Sequence, residues 1–170
     1  MKSETSELKN ILAKWQLWSR NADRSEDGWQ ACFHEWESLM TAAASLMTRS
    51  DLTEEDIQIL ETCWQMSEED EDLADYAKTN LASCWQTLIR LIASRLPEVR
   101  WQVYDVLGEG GNKAERWLRQ GLDDENSYCR RRAILSVAKV APQDAKTIAA
   151  RFVNDPDPYI RQVASELVGR

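Results

Sequence analysis

Few side chains in this 170-residue chain have the type and the company that covalent or acid–base chemistry needs. The single histidine, His34, stands between Phe33 and Glu35 on an expected helix and reads as a surface or boundary residue rather than a general base. One imidazole permits no two-histidine metal centre. The four cysteines, Cys32, Cys63, Cys84 and Cys129, include no C-x-x-C pair, so no zinc site is expected. Each falls in an apolar helical stripe, where a reduced thiol packs as a small hydrophobe. The sequence has no glycine-rich phosphate loop and no G-x-S-x-G nucleophile turn, and no cofactor is expected. What remains is Trp101 and Asp105, one helical turn apart, with Arg131 at the equivalent place thirty residues on. An indole, a carboxylate and a guanidinium on one face could anchor a partner, because interface hot spots favour Trp and Arg.

The charge surrounding these residues is unevenly placed. Residues 1–70 carry 6 basic and 15 acidic side chains, a net of −9, whereas residues 71–170 carry 15 and 14, a net of +1, and the whole chain is −8. Between Arg49 and Lys78 there is no basic residue, yet eleven acids fall there, from Asp51 to Asp75. Such a field repels nucleic acid phosphates and speeds encounter with a basic surface, an effect that salt weakens. Glu68 to Asp72 lack the spacing of a calcium loop and read as a solvated connection between helices. No apolar run approaches the ~20 residues that cross a bilayer, and the chain opens on an acidic amphipathic segment, so a cytoplasmic protein without a membrane is expected.

Apolar residues recur at three and four almost throughout, and sustained alternation is missing, which predicts an all-α fold. A first helix is expected over residues 6–20, with Leu8, Ile11, Leu12, Trp15 and Trp18 on one face. Ser25 is the expected N-cap of a second helix reaching residue 49, with Glu26 and Asp27 favourable to its dipole and Trp29, Phe33, Trp36, Met40, Ala43 and Met47 as its buried stripe. Thr53 and Asp56 form a capping box for a third helix, and a helical period then runs from Leu73 to the stop at Pro97. Seven tryptophans read as core, Trp101 being the exception.

Self-similarity is the strongest signal. The segments beginning at Val99, Cys129 and Ile160 superimpose without gaps at offsets of 30 and 31 residues, and the preceding helices superimpose with them. Turn residues divide each pair: Leu96-Pro97-Glu98, the run from Asp123 to Tyr128, and the run from Asn154 to Tyr159. Asp155-Pro156-Asp157-Pro158-Tyr159-Ile160-Arg161, followed by Ala164 and Leu167, resembles the HEAT-like helical repeats of the short bacterial kind. The resemblance implies an α-α superhelix of helical hairpins. It also implies a ladder in which Arg100, Arg130 and Arg161 pair with turn acids such as Asp124, Asp155 and Asp157. Residues 81–170 are expected to hold three such pairs and residues 1–80 an acidic helical region packed on the stack, the whole forming one structural domain.

On the second helix of each pair, one set of positions is apolar and makes the core. The opposite set includes Trp101, Tyr104 and Asp105, then Arg131 and Leu135, then Gln162 and Glu166. Second helices of solenoids commonly line a concave face, so these residues form the candidate binding stripe. The expected function is non-catalytic binding of another protein, with a basic partner steered by the acidic half. Small size and acidity also suit an inhibitor or a toxin-neutralising immunity protein, and the repeat resemblance allows a chaperone for a tetrapyrrole protein. Trp101, Asp105 and Arg131 are further similar to the set used by HEAT-like alkylpurine DNA glycosylases. That resemblance implies Asp105 stabilising positive charge at the sugar, Trp101 contacting the lesion and Arg131 holding a phosphate, although a net charge of −8 disfavours nucleic acid.

Overall fold

A computed structural model describes residues 2–25, 29–69 and 71–169, with side chains from Thr5 onward. Every regular element among the described residues is helical. The chain forms two compact units, Met1–Leu91 and Ile92–Arg170.

The first unit contains α1 (Lys2–Ser19), a 3₁₀ turn (Trp29–Cys32), α2 (Trp36–Met47), α3 (Glu54–Met66), α4 (Asp72–Thr79) and α5 (Leu81–Leu91). Leu8, Ile11 and Leu12 bury the inner face of α1 against the rest of the unit. The expected helix from Ser25 to residue 49 is not continuous. Ser25 donates its N–H to Asp23 Oδ1 at 3.0 Å, and α2 starts only at Trp36, with Glu35 before it making no side-chain cap. The indoles explain the break, because those on the supposed common stripe have different partners. Trp29 stacks on Trp18 with centroids 5.8 Å apart, whereas Trp36 donates Nε1–H to Asp72 Oδ2 at 2.9 Å. Glu26, Asp27 and the acidic-run member Asp70 lie outside the described residues.

The capping box of α3 forms as its sequence dictates. Thr53 Oγ1 accepts the Asp56 N–H at 3.2 Å, and the Asp56 carboxylate accepts the Thr53 N–H at 2.8 Å. The period from Leu73 is cut into two helices at Asn80, whose side chain donates to the Tyr76 carbonyl at 3.0 Å while its own carbonyl receives Ser83 and Cys84. A short amide side chain competing for backbone partners is a common reason for such a stop. The second of the two helices ends at Leu91, so that Pro97 opens the following helix instead of stopping this one. Thr87 and Arg90 tie α5 to other elements of the first unit. Thr87 Oγ1 donates to the Met47 carbonyl at 2.7 Å, and Arg90 reaches the Leu52 carbonyl at 2.6 Å and Glu54 at 2.9 Å.

The second unit contains α6 (Pro97–Leu107), α7 (Glu115–Gly121), α8 (Ser127–Val140), α9 (Ala145–Ala150) and α10 (Pro158–Gly169). α7 pairs with α8 and α9 with α10, while α6, α8 and α10 lie side by side in that order, the stacking of an α-α superhelix. The apolar set expected to make the core does so: Val99, Val103, Val106 and Leu107 on α6 and Cys129, Ala133 and Val137 on α8 are buried, as are Ile160 and Ala164 on α10.

Close approach of α6, α7 and α8 depends on Gly121. A Cβ there would stand 2.6 Å from Tyr104 Cε1 and 2.8 Å from the Ala133 Cβ. The tyrosine cannot swing aside cheaply, because its hydroxyl donates to Asp124 Oδ2 at 3.1 Å. The overpacking cost therefore outweighs the gain of up to ~1 kcal/mol from removing a helical glycine. Gly121→Ala is expected to lose about 1–3 kcal/mol, read as a lower urea midpoint at unchanged slope.

The cysteines divide by environment. Cys63, Cys84 and Cys129 are buried, whereas Cys32 is exposed and so departs from the apolar reading. Burial pushes the Cys63 thiol up to about 12 and Cys84 to about 11, and burial with the nearby Asp124 carboxylate pushes Cys129 to about 12. Since the thiolate is the nucleophile, iodoacetamide at pH 8 is expected to modify Cys32 in the folded protein and all four thiols only in denaturant, as counted by intact mass.

Candidate functional site

Each second helix of the second unit begins with the same turn chemistry. The amide N–H groups of Leu96, Asn126 and Asp157 donate to Ser94 Oγ at 3.1 Å, Asp124 Oδ1 at 2.9 Å and Asp155 Oδ1 at 2.8 Å respectively. Six residues after each turn side chain stands an arginine that donates back to the carbonyl of that same turn residue. Arg100 reaches Ser94 O at 3.0 Å, Arg130 reaches Asp124 O at 2.8 Å and Arg161 reaches Asp155 O at 2.8 Å. Asn126 and Asp157 then cap α8 and α10 through their side-chain oxygens, each accepting two backbone N–H groups.

Two of the arginines also reach across to the acid of the following turn. Arg100 and Asp124 make a two-pronged pair, Nε to Oδ2 and Nη2 to Oδ1 both at 2.8 Å, and Arg130 Nη2 stands 3.5 Å from Asp155 Oδ1. Burial by itself would raise the Asp124 pKa. The bonds from Arg100, the Asn126 N–H and the Tyr104 hydroxyl outweigh it and hold the carboxyl below its ordinary range. Burial and the charge of Asp124 together drive the Tyr104 hydroxyl far above its usual pKa, so it remains a donor. The ladder thus takes Asp124 and Asp155, while Asp157 serves as a cap. Ser94, at the head of the first turn, was not singled out by sequence, and its signal is the two-residue spacing to Leu96 that Asp124 and Asp155 share with their own caps.

Above these turns lies a cluster of aromatic rings and guanidinium groups. Trp101 on α6 meets the edge of Tyr128 on α8, with centroids 5.2 Å apart and planes at 82°. Arg132 lies 5.0 Å above the Trp101 ring, donates to the Tyr128 hydroxyl at 3.0 Å and stands 3.6 Å from Asp105 Oδ1. Its neighbour Arg131 faces elsewhere, 4.5 Å over the Tyr128 ring and 5.5 Å from that of Tyr159. The arginine joined to Trp101 and Asp105 is therefore Arg132. Arg131 sits with two tyrosines that sequence did not single out, in a depression of about 400 Å³ completed by Ser127 and Asp157. A bond from Ser127, the N–H groups of Tyr159 and Ile160 and the charge of Arg131 hold the Asp157 carboxyl low against a smaller effect of burial.

Exposure along the stripe is uneven. Trp101, off the apolar set, is only 6% exposed, less than Trp15, Trp18, Trp29 and Trp117, which read as core. Tyr104 and Ile134 are buried as well, because their shared position turns toward the neighbouring helices. Asp105 and Arg131 are half-buried, and Leu135, Gln162 and Glu166 are exposed, Gln162 donating to Glu166 at 3.0 Å.

Repeated helical pairs, stacked through second helices and tied by a turn-to-arginine ladder, define the class of all-α repeat proteins. Residues 85–169, half of the chain, match the family model described as HEAT repeats, and the chain belongs to that family. Proteins of this architecture commonly serve as protein–protein interaction modules. No curated protein matches the chain. No described helix is long and apolar enough to cross a membrane.

Proposed function

We propose that the chain is a non-catalytic module that binds another protein through the face formed by α6, α8 and α10, with the acid of residues 1–70 steering a basic partner. The observation that carries this reading is the grouping of Tyr128 and Tyr159 about Arg131, with Leu135 about one helical turn beyond Arg131 on α8. Tyr159 is 62% exposed, Leu135 41% and Tyr128 36%, so amphipathic rings and an aliphatic side chain meet solvent beside a guanidinium. Tyrosine and arginine are enriched among interface anchors because each offers large contact area and a directional polar end. The fixed arrangement lowers the entropy cost of docking, since Arg131 is already held by both rings.

The same geometry counts against repair of alkylated DNA. A lesion would have to stack on Trp101, which Tyr128 and Arg132 cover, and use Asp105, which Arg132 already faces. Arg131→Ala and Tyr159→Ala should each reduce retention of the partner captured from a cell extract about tenfold or more, with the thermal midpoint unchanged. Retention of the same proteins by both variants would remove this face from consideration. Excision of an alkylated base by the wild type, lost in Asp105→Asn, would favour the glycosylase reading instead.

A further inference from the structure

The first unit carries a recess of its own. α2 and α4 border a groove of about 530 Å³. Trp36, Met40 and Ala44 form one wall at four-residue spacing along α2, and Leu73 and Tyr76 form the other. Asp72 fixes this arrangement by accepting the indole N–H of Trp36 at 2.9 Å. Thr41 and Ser45 on α2 and Thr48 just after it edge the groove, with side chains too short to close it.

The charge at this recess has one sign. Glu37 and Asp72 are exposed at its rim, and Asp75 on the next turn of α4 is exposed too. Lys78 is the first basic residue after Arg49 and is itself engaged by Glu71 at 3.6 Å and Asp75 at 3.3 Å. An apolar slot edged by carboxylates is complementary to a segment with apolar side chains on one face and ammonium or guanidinium groups on its flanks. α2 has 12 residues and is therefore about 18 Å long, enough to lie along about three turns of a second helix. Amphipathic helices dock in such grooves through anchors at i, i+3, i+4 and i+7.

We propose that the α2–α4 groove is the docking site for a basic amphipathic helix of a partner protein. Its apolar side chains would enter over Met40 and Ala44, and its cationic side chains would meet Glu37 and Asp72. This deepens the reading of a basic partner by giving that partner a place in the first unit, and it does not depend on the face around Arg131.

The test uses the full chain and a labelled 14-residue synthetic peptide with leucines at i, i+3, i+4, i+7 and i+11 and lysines between them. A scrambled peptide of equal composition, without an apolar face, is the comparison. Fluorescence anisotropy should show binding at least tenfold tighter for the amphipathic peptide than for the scrambled one, and weaker at higher salt. Thr41→Arg and Glu37→Lys, both at exposed positions, should each weaken binding several-fold at unchanged thermal midpoint, whereas Arg131→Ala should leave it unchanged. Equal binding of the scrambled peptide would overturn the proposal, as would indifference to both groove variants. Loss of binding in Arg131→Ala alone would move the helix to the other face. Self-association of the chain abolished by Thr41→Arg would assign the groove to a second copy and also overturn it.

Discussion

Asp124→Ala is expected to destabilise the protein by about 3–5 kcal/mol, the usual cost of removing one partner of a buried ion pair. The side chain of Asp124 is 5% exposed and that of Arg100 9%, so neither charge is solvated well enough to stand alone. Alanine would leave the Arg100 guanidinium without its two 2.8 Å acceptors and the Tyr104 hydroxyl without its 3.1 Å acceptor, and would also release the Asn126 N–H at the head of α8. Replacing both charges, as Arg100→Met with Asp124→Leu, should recover the part of the loss that comes from the unpaired guanidinium, while the Tyr104 hydroxyl and the Asn126 N–H stay without their acceptor. Equilibrium urea unfolding of Arg100→Met, Asp124→Leu and their combination measures the coupling. A single-variant loss under 1 kcal/mol would show that the pair is solvated.

The same carboxylate sets a pH dependence. Its folded pKa is depressed, so the unfolded chain takes up the proton first as pH falls. The stability contributed by Asp124 is therefore fully present above about pH 4, the ordinary aspartate range, and is lost as pH drops through the lower folded value. Asp56 acts in the same direction: burial opposes the shift, and bonds from Thr53 and Thr5 prevail. The acid limb of the wild-type stability curve should be steeper than that of Asp124→Ala.

Trp64→Ala should have an effect of similar size in the first unit. The Trp64 side chain lies on α3, has no exposed surface and is the largest of the fully buried side chains. Deleting a buried indole costs about 3–5 kcal/mol, from lost transfer free energy and from a cavity that neighbours fill only partly. Leu60 and Cys63 on the same helix are also buried, so the space has no route for water to enter cheaply. Trp64→Phe retains most of the apolar surface and should lose less than half as much. Thermal unfolding followed in the far ultraviolet separates the two variants, and equal midpoints would show that the site collapses around the missing ring.

Local chemistry explains what was legible in advance. The Thr53–Asp56 capping box involves groups within three residues of one another, so the side chain and the backbone it satisfies are read together, whereas Pro97 opens α6 instead of stopping the helix before it, which already ends at Leu91. The aromatic cluster was only half legible. Arg131 and Arg132 are adjacent, about 100° apart around α8, and either suits a face that also carries Asp105. The choice belongs to Tyr128, whose ring is covered by Arg131 while its hydroxyl accepts from Arg132. The division at Asn80 escaped a periodicity argument because an eight-residue helix and its successor preserve nearly the same apolar phase.

From the sequence alone came the helical class and the 30- and 31-residue offsets, because repeated units expose their rules by repeating them, while the pairing of Arg100 with Asp124 was what the resemblance to HEAT-like repeats implied. Tertiary structure alone decided that Trp101 is covered and Tyr159 open, since burial of a side chain on a second helix depends on which residues the neighbouring repeat sets against it. It also decided that α2 and α4 leave a groove between them. Periodicity records which face of a helix is apolar, whereas the width of the space beside that face is set by the side chains of another helix, tens of residues away in the chain.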